Sequence, residues 1–323
     1  MTSKGGTMNE SKTVIAYHQR NKETDCTDGL AAAWVARLRH PEANIQGFTY
    51  DGKIQPQLDK GDTIIIVDFS FPKSVMAQWQ RQGINVVCLD HHESAERQLL
   101  GTVGHNWLQR LVWRTPKPTI RFDMNECGAT LTWQHFFPGE PCPHFLRFIK
   151  DRDCWDWLLP ESEEINEAIA DLLYEQTRDR PLEDGKWLSF GVFDRLALMS
   201  EETLKAQLVP RGTPLVAKRK AIIDAIMASD RIRRTEVAGF PDIPTVTLTK
   251  DEDRHYSNVG TRIYRTFADA PFVLLITSDG GHHLRSDKHG KNENVALIAE
   301  RLGGGGHRNS AGFPKQHELP RTV

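Results

Sequence analysis

The stretches DTIIIVDF (62–69) and INVVCLDHH (84–92) decide how this chain folds. The first carries five β-branched residues in succession, Thr63 to Val67, with no polar interruption. That density suits a parallel strand covered on both faces rather than an alternating, half-wet one. The second is another apolar run, and it ends in polar residues. Between them, PKSVMAQWQRQG (72–83) reads as a crossover helix, with Pro72 near its start and Gly83 beyond its end. Strand, helix and strand at this spacing predict a βαβ unit. Working outward toward the N-terminus, NIQGFTY (44–50) and TVIAY (13–17) read as further strands, and GLAAAWVARLR (29–39) as a helix ended by Pro41.

Toward the C-terminus, residues 100–185 are less periodic and are punctuated by WRTPKP, FFPGEPCP and LLPESEE. ECGATLTWQHFF, PHFLRFIKDRDCWDWLL and EINEAIADLLY between them look helical. A long helical region follows from about 191 to 229, with a break expected at VPRGT (209–213). EVAGF, TVTLTK, FVLLITSD and HHLRS resemble short strands, and NENVALIAERLG (292–303) a last helix. The expected fold class is α/β: a parallel-sheet N-terminal domain (1–190), a helical connector (191–230), and a smaller mixed α/β C-terminal domain (231–323).

Composition narrows the function. Of 323 residues, 39% are hydrophobic and 26% charged, enough for a core and against wholesale disorder. Lys plus Arg is 41 against 43 Asp plus Glu, so the formal charge is -2 and no basic excess marks a long nucleic-acid footprint. No apolar run approaches the length of a membrane span. The first residues, MTSKGGTMNESK, lack an apolar signal segment. Five cysteines without a CxxC pair make a poor disulfide framework. The expectation is a soluble, cytoplasmic protein with no membrane partner.

The ends of the predicted strands concentrate chemistry. His18 follows TVIAY, with Asp25 and Asp28 in the loop beyond it. Asp68 follows the IIIV run, and Asp90, His91 and His92 follow VVCL. In an open parallel sheet, ligands sit beyond the carboxyl ends of the strands, so these residues are expected on one rim. Each also has an ordinary use, since Asp68 or Asp28 could cap the helix that follows it. Packed carboxylates repel unless cations neutralise them, and Asp and His together form an oxygen-rich, hard ligand set. A carboxylate shared by two ions is the usual geometry of a two-metal hydrolase, and Asp68 could be that bridge. Asp151 and Asp153, in KDRDCWDW, are candidates for a further donor.

LDHHES (89–94) resembles the signature of the DHH phosphoesterase superfamily. IAERLGGGGHRNSAGF (298–313), with HHLRS (282–286) before it, resembles the glycine-rich motif of the DHH-associated C-terminal domain. The resemblance covers nearly the whole chain, most weakly between 95 and 145. It implies a manganese-dependent hydrolase of phosphodiester or phosphoanhydride bonds that works through two Mn²⁺ ions, with Mg²⁺ as the other option. Carried over residue by residue, His18 would ligate the first ion, Asp28 and His91 the second, and Asp68 both. Asp90 and His92 join Asp68 as the catalytic group, with His92 beside the scissile phosphate. Asp151 best matches the fourth-motif carboxylate, because Trp155 then falls on a recurrent aromatic position, and Asp153 is the runner-up.

One departure stands out. His18 and Asp28 are ten residues apart in HQRNKETDCTDG, and Cys26 falls where the resemblance places the first carboxylate. Either Asp25 or Cys26 would complete the first site. In the second domain, the run from Gly303 through Gly304, Gly305 and Gly306 to His307 suggests backbone approach to a bound group. Arg285 would offer a bidentate fork to phosphate, and Asn309 would support the loop. The expected activity is hydrolysis of dinucleotides or short oligonucleotides to mononucleotides by a two-metal activated water. A RecJ-like single-strand exonuclease, a cyclic dinucleotide phosphodiesterase and a non-catalytic nucleotide-binding protein stay open, as does a homodimer.

Overall fold

The computed structural model describes residues 11–19, 26–49, 54–101, 118–178, 190–287 and 293–314. Asp25 lies outside the described residues. By contact the chain divides into two compact units. One is Met1–His91 with Glu96–Gly212, the other His92–Ala95 with Thr213–Val323. The described residues form the predicted mixed α/β structure, with one parallel and one mixed sheet.

In the first unit the order is β1 (Thr13–His18), α1 (Thr27–Arg39), β2 (Asn44–Phe48), β3 (Thr63–Val67), α2 (Lys73–Arg81), β4 (Asn85–Asp90) and α3 (Glu93–Leu100). Then come β5 (Thr119–Phe122), α4 (Gly128–Phe136), α5 (His144–Asp153), α6 (Ser162–Arg178), α7 (Phe190–Ala197) and the start of α8 (Glu201–Ala228). The strands lie in the order β2-β1-β3-β4-β5, all parallel, with Ile15 level with Ile65 and Ile65 with Val87. Alternate side chains fill opposite faces. Ile15, Tyr17, Ile65, Val67 and Leu89 enter a core shared with α1 and α4 to α7. Ala16, Ile64, Ile66, Val86 and Cys88 enter a second core with Phe69, Phe71, Met76 and Trp79. Burying each isoleucine contributes about 1.5–3 kcal/mol. β5 (TIRF) escapes a hydrophobicity reading because it is an edge strand with no fully buried residue.

The second unit adds β6 (Arg233–Val237), β7 (Phe240–Thr247), α9 (Tyr256–Thr266), β8 (Val273–Ile276), β9 (His282–Arg285), α10 (Val295–Arg301), β10 (Gly305–His307) and β11 (Ser310–Phe313). Its sheet runs β10-β11-β9-β8-β7-β6, with only the β7–β8 pair parallel. Leu274 and Leu284 pack toward α10, while Val273 and Leu275 pack toward α9 and the end of α8.

The expected break at 209–213 is absent, because α8 continues through Pro210 and Pro214. An interior proline costs an unsupported helix about 3 kcal/mol. Burial outweighs that here: Leu204 and Leu208 belong to the first unit's core, and Ile223 and Ile226 to the second unit's. The division between units falls inside this helix, after Gly212. α5 also stops earlier than its sequence suggests. Trp155 and Trp157, just beyond it, take positive φ (57° and 52°), which a helix cannot accommodate.

Candidate metal centre

Three adjacent parallel strands deliver His18, Asp68 and His91 to one rim of the first sheet, at the ends of β1, β3 and β4. The first turn of α1 adds Asp28, and the last residue of α5 adds Asp153. Asp68 is at the centre. Its Oδ1 lies 3.0 Å from His91 Nε2 and its Oδ2 3.3 Å from His18 Nδ1. His91 Nε2 is also 3.4 Å from Asp153 Oδ2 and 3.8 Å from Asp28 Oδ2. Five side chains separated by up to 135 positions in the chain thus meet in one place.

The backbone is shaped to make this possible. Asp68 takes φ 63°, a left-handed conformation that a non-glycine residue adopts at a cost of about 1–3 kcal/mol. Its own N–H donates to Leu89 O at 3.0 Å, which ties the turn to β4. Two helix starts press on it. A Cβ on Gly29 would lie 2.3 Å from His18 O, and one on Gly128 would lie 2.5 Å from the Asp68 Cβ. Only glycine fits at either position. The N–H groups of Gly128 and Ala129 then donate to Asp28 Oδ2 and Oδ1, at 2.5 and 2.9 Å. The amides of α4 therefore orient Asp28 and favour its negative charge.

The electrostatics follow from burial and crowding. Burial, then the charges of Asp68 and Asp153, pushes the Asp28 carboxyl well above its ordinary range. Burial would raise Asp68 too, but the imidazoles of His18 and His91 reverse this and hold it well below. Burial would lower His91, yet Asp68 and the charges of Asp153 and Asp28 lift it well above the usual imidazole value. The cluster draws positive charge toward itself.

A divalent cation fits these donors. Asp68 Oδ2 is buried, and although His18 Nδ1 is near, the oxygen has no hydrogen-bond partner of good geometry. A buried carboxylate oxygen left in that state is costly unless something cationic meets it. Ligand atoms of Asp28, His91 and Asp153 lie within 4.8 Å of one another, and so do those of His18, Cys26 and Asp68. Imidazole with carboxylate is a chemistry that Mn²⁺, Zn²⁺ and their neighbours accept.

Two sequence candidates make contacts of another kind. Asp151 does not reach the cluster's histidine. Its carboxylate is buried and accepts N–H bonds from Leu158 (2.7 Å) and Leu159 (3.4 Å), and its carbonyl accepts from Asp156 and Trp157. Asp151 thus secures the strained turn carrying the two tryptophans, and Asp153 is the carboxylate beside His91. The spacing in DRD could not separate the two, since the choice depends on where α5 ends. Asp90 is fully buried and accepts from Ser70 Oγ (2.6 Å) and from the His91 N–H (2.7 Å). It shapes the turn that presents His91. In the sequence Gly29 and Gly128 each resemble an ordinary small residue at a helix start, and only the fold brings His18 O and Asp68 against them.

In the second unit, Arg285 donates Nη1 to Leu284 O and Nη2 to Ser257 Oγ, both at 2.8 Å, and its guanidinium lies 5.0 Å over the Tyr256 ring. The glycine run enters β10. A Cβ on Gly304 would sit 2.0 Å from Gly312 O, so the sheet itself demands that glycine. The Gly304 amide donates to Ala299 O (2.8 Å) and the Gly306 amide to Ser94 Oγ (2.9 Å). The His307 ring stacks on His92, which groups with this unit, at 4.4 Å. Gly305 pairs with Gly312 on β11, and the Asn309 carbonyl accepts from Ser286 N–H.

No family model matches the chain. It is 26% identical to an uncharacterised protein, R106, of Acanthamoeba polyphaga mimivirus over 93% of its own length, and spans 66% of the length of that protein. Among solved structures it is similar to a pGpG-specific phosphodiesterase, PggH, from Vibrio cholerae (14% identity, TM-score 0.46, 95% of this chain and 94% of that one). It is also similar to an exopolyphosphatase-related protein from Bacteroides fragilis (13%, TM-score 0.39, 97% and 88%). A third is an uncharacterised protein from Helicobacter pylori G27 (13%, TM-score 0.33, 96% and 95%). At these identities the reading of the site rests on its own geometry.

Proposed function

We propose that this chain is a divalent-metal-dependent phosphodiesterase of the DHH type that hydrolyses dinucleotides or short oligonucleotides to mononucleotides. The observation that carries the reading is the convergence of His18, Asp28, His91 and Asp153 on the strained, buried Asp68. His18 and Asp68 would hold one ion; Asp28, His91 and Asp153 the other, with Asp68 shared. When bound, two such ions polarise a phosphoryl oxygen and acidify a water.

The chain's own groups do the rest. The amides of Gly128 and Ala129 fix the Asp28 carboxylate before any ion arrives, which spares reorganisation during the reaction. Asp90 and Ser70 hold the turn that carries His91. In the second unit, Ser257 and Tyr256 hold the Arg285 guanidinium in one orientation, suited to a single phosphate. His92 and His307, stacked together, offer ring nitrogens for phosphate or a flat face for a base. A formal charge of -2 supports a short substrate, because a long backbone would need many basic contacts.

Incubating the protein with Mn²⁺ and a labelled dinucleotide, a cyclic dinucleotide and a longer single strand tests this. Mononucleotide release that slows with chain length is expected. Processive digestion of the long strand would favour the RecJ-like reading, and selective loss of the cyclic species the cyclic one. No hydrolysis, with ions demonstrably bound, would overturn the enzyme reading and leave nucleotide binding without turnover. The cysteine in place of a carboxylate near His18 is the feature that favours that second reading.

A further inference from the structure

We propose that Cys26 is a thiolate ligand of the first ion, so that the two halves of the centre differ in kind. This rests on the two-ion reading above. The Sγ of Cys26, a ring nitrogen of His18 and a carboxylate oxygen of Asp68 lie within 4.8 Å of one another. Zn–S near 2.3 Å and Zn–N near 2.0 Å put two donors of one ion about 3.5 Å apart, so modest side-chain rotation brings all three onto one cation. The oxygen of Asp68 on the His18 side is the buried one that lacks a hydrogen-bond partner of good geometry, and its side chain is 2% exposed.

Cys26 occupies the N-cap position of α1, where Ser, Thr, Asp or Asn usually accepts a backbone N–H. Its side chain makes no such cap bond. Its sulfur stands beside the imidazole of His18 and the carboxylate of Asp68, the other two donors of this group. The two donor sets then differ. His18, Cys26 and Asp68 supply nitrogen, sulfur and oxygen, which favour a borderline-soft ion such as Zn²⁺, Fe²⁺ or Co²⁺. Asp28, His91 and Asp153 supply one nitrogen and two carboxylates, which suit Mn²⁺ or Mg²⁺. On binding, the thiol loses its proton to solvent and the sulfur lone pair forms the metal bond.

The test uses Co²⁺ added to the chelator-stripped full chain, read by elemental analysis and by near-ultraviolet absorption, where a thiolate bound to cobalt gives a charge-transfer band. The parent should bind two ions and show the band. Cys26→Ser should lose the band and keep one ion. Cys26→Asp should keep two without the band, and should shift the ratio of Zn²⁺ to Mn²⁺ affinity toward Mn²⁺ by at least about tenfold. Cys142→Ser should retain the band, since that thiol lies against the Pro143 carbonyl. Two cobalt ions without a band in the parent, or a band that survives Cys26→Ser, would overturn this inference and leave the two-ion centre standing. No cobalt bound at all would overturn both.

Discussion

The rim of the first sheet and the glycine run of the second both break local rules, but they resolve the breach differently. At Gly304 the close approach is to the molecule's own β11, its amide donates to Ala299 O, and that of Gly306 donates to Ser94 Oγ. The departure from ordinary composition is explained by the sheet that it builds. At Asp68 the chain adopts positive φ, buries a carboxylate oxygen without a good partner, and places two further carboxylates nearby. Among the described residues the imidazoles of His18 and His91 face Asp68, and the crowded carboxylates around them call for protons or cations. Strain that the fold satisfies is architecture; strain that it leaves open points to a ligand.

Breaking the rim should therefore cost function first. Asp68→Asn removes the shared charge, and cation-dependent hydrolysis of a dinucleotide should fall on the order of a thousandfold. A rate within threefold of the parent would contradict the role given to Asp68.

The pair Asp153 and Asp151 sharpens the same contrast within one motif. Asp153→Asn should weaken cation affinity by at least about tenfold, measured by calorimetric titration, with the melting temperature little changed. Asp151→Ala should do the reverse. It strands the N–H of Leu158 and costs about 1–3 kcal/mol in denaturant unfolding, while cations still bind. If Asp151→Ala abolished cation binding in a folded protein, the assignment of the two carboxylates would be exchanged.

On the other side of the comparison, Gly304→Ala forces a Cβ against Gly312 O. A stability loss of about 1–3 kcal/mol is expected, with cation binding at the first unit intact. An unchanged melting curve would mean that the glycine is not needed by the sheet and is available for a ligand.

The smallest effect lies away from both regions. Hydrogen bonds from Arg231 hold Glu252 down to about 2. The stabilisation is fully present above the ordinary carboxylate value and is lost as pH falls through about 2. The melting temperatures of the parent and Glu252→Gln should thus differ near neutrality and converge as pH falls from about 4.5 toward 2. A gap that widened on acidification would contradict the ion pair.

Much of this was legible in the sequence because the information was local. The run Thr63–Val67 announces a strand buried on both faces, and parallel strands bring His18, Asp68 and His91 together by topology alone. What escaped depends on tertiary packing. β5 is an edge strand without an apolar run. α8 passes through two prolines because both cores bury its side chains. Asp151 and Asp153 are told apart by the residue at which α5 ends. Gly128 matters through contact with an aspartate sixty positions earlier, and no local pattern encodes that distance.

The central claim is that Asp68 joins two cation sites. Equilibrium dialysis of the chelator-stripped protein against Mn²⁺, followed by elemental analysis, tests it most directly. About two ions per chain are predicted for the parent and at most one for Asp68→Asn. No bound ion in the parent, or the same count in both proteins, would contradict it.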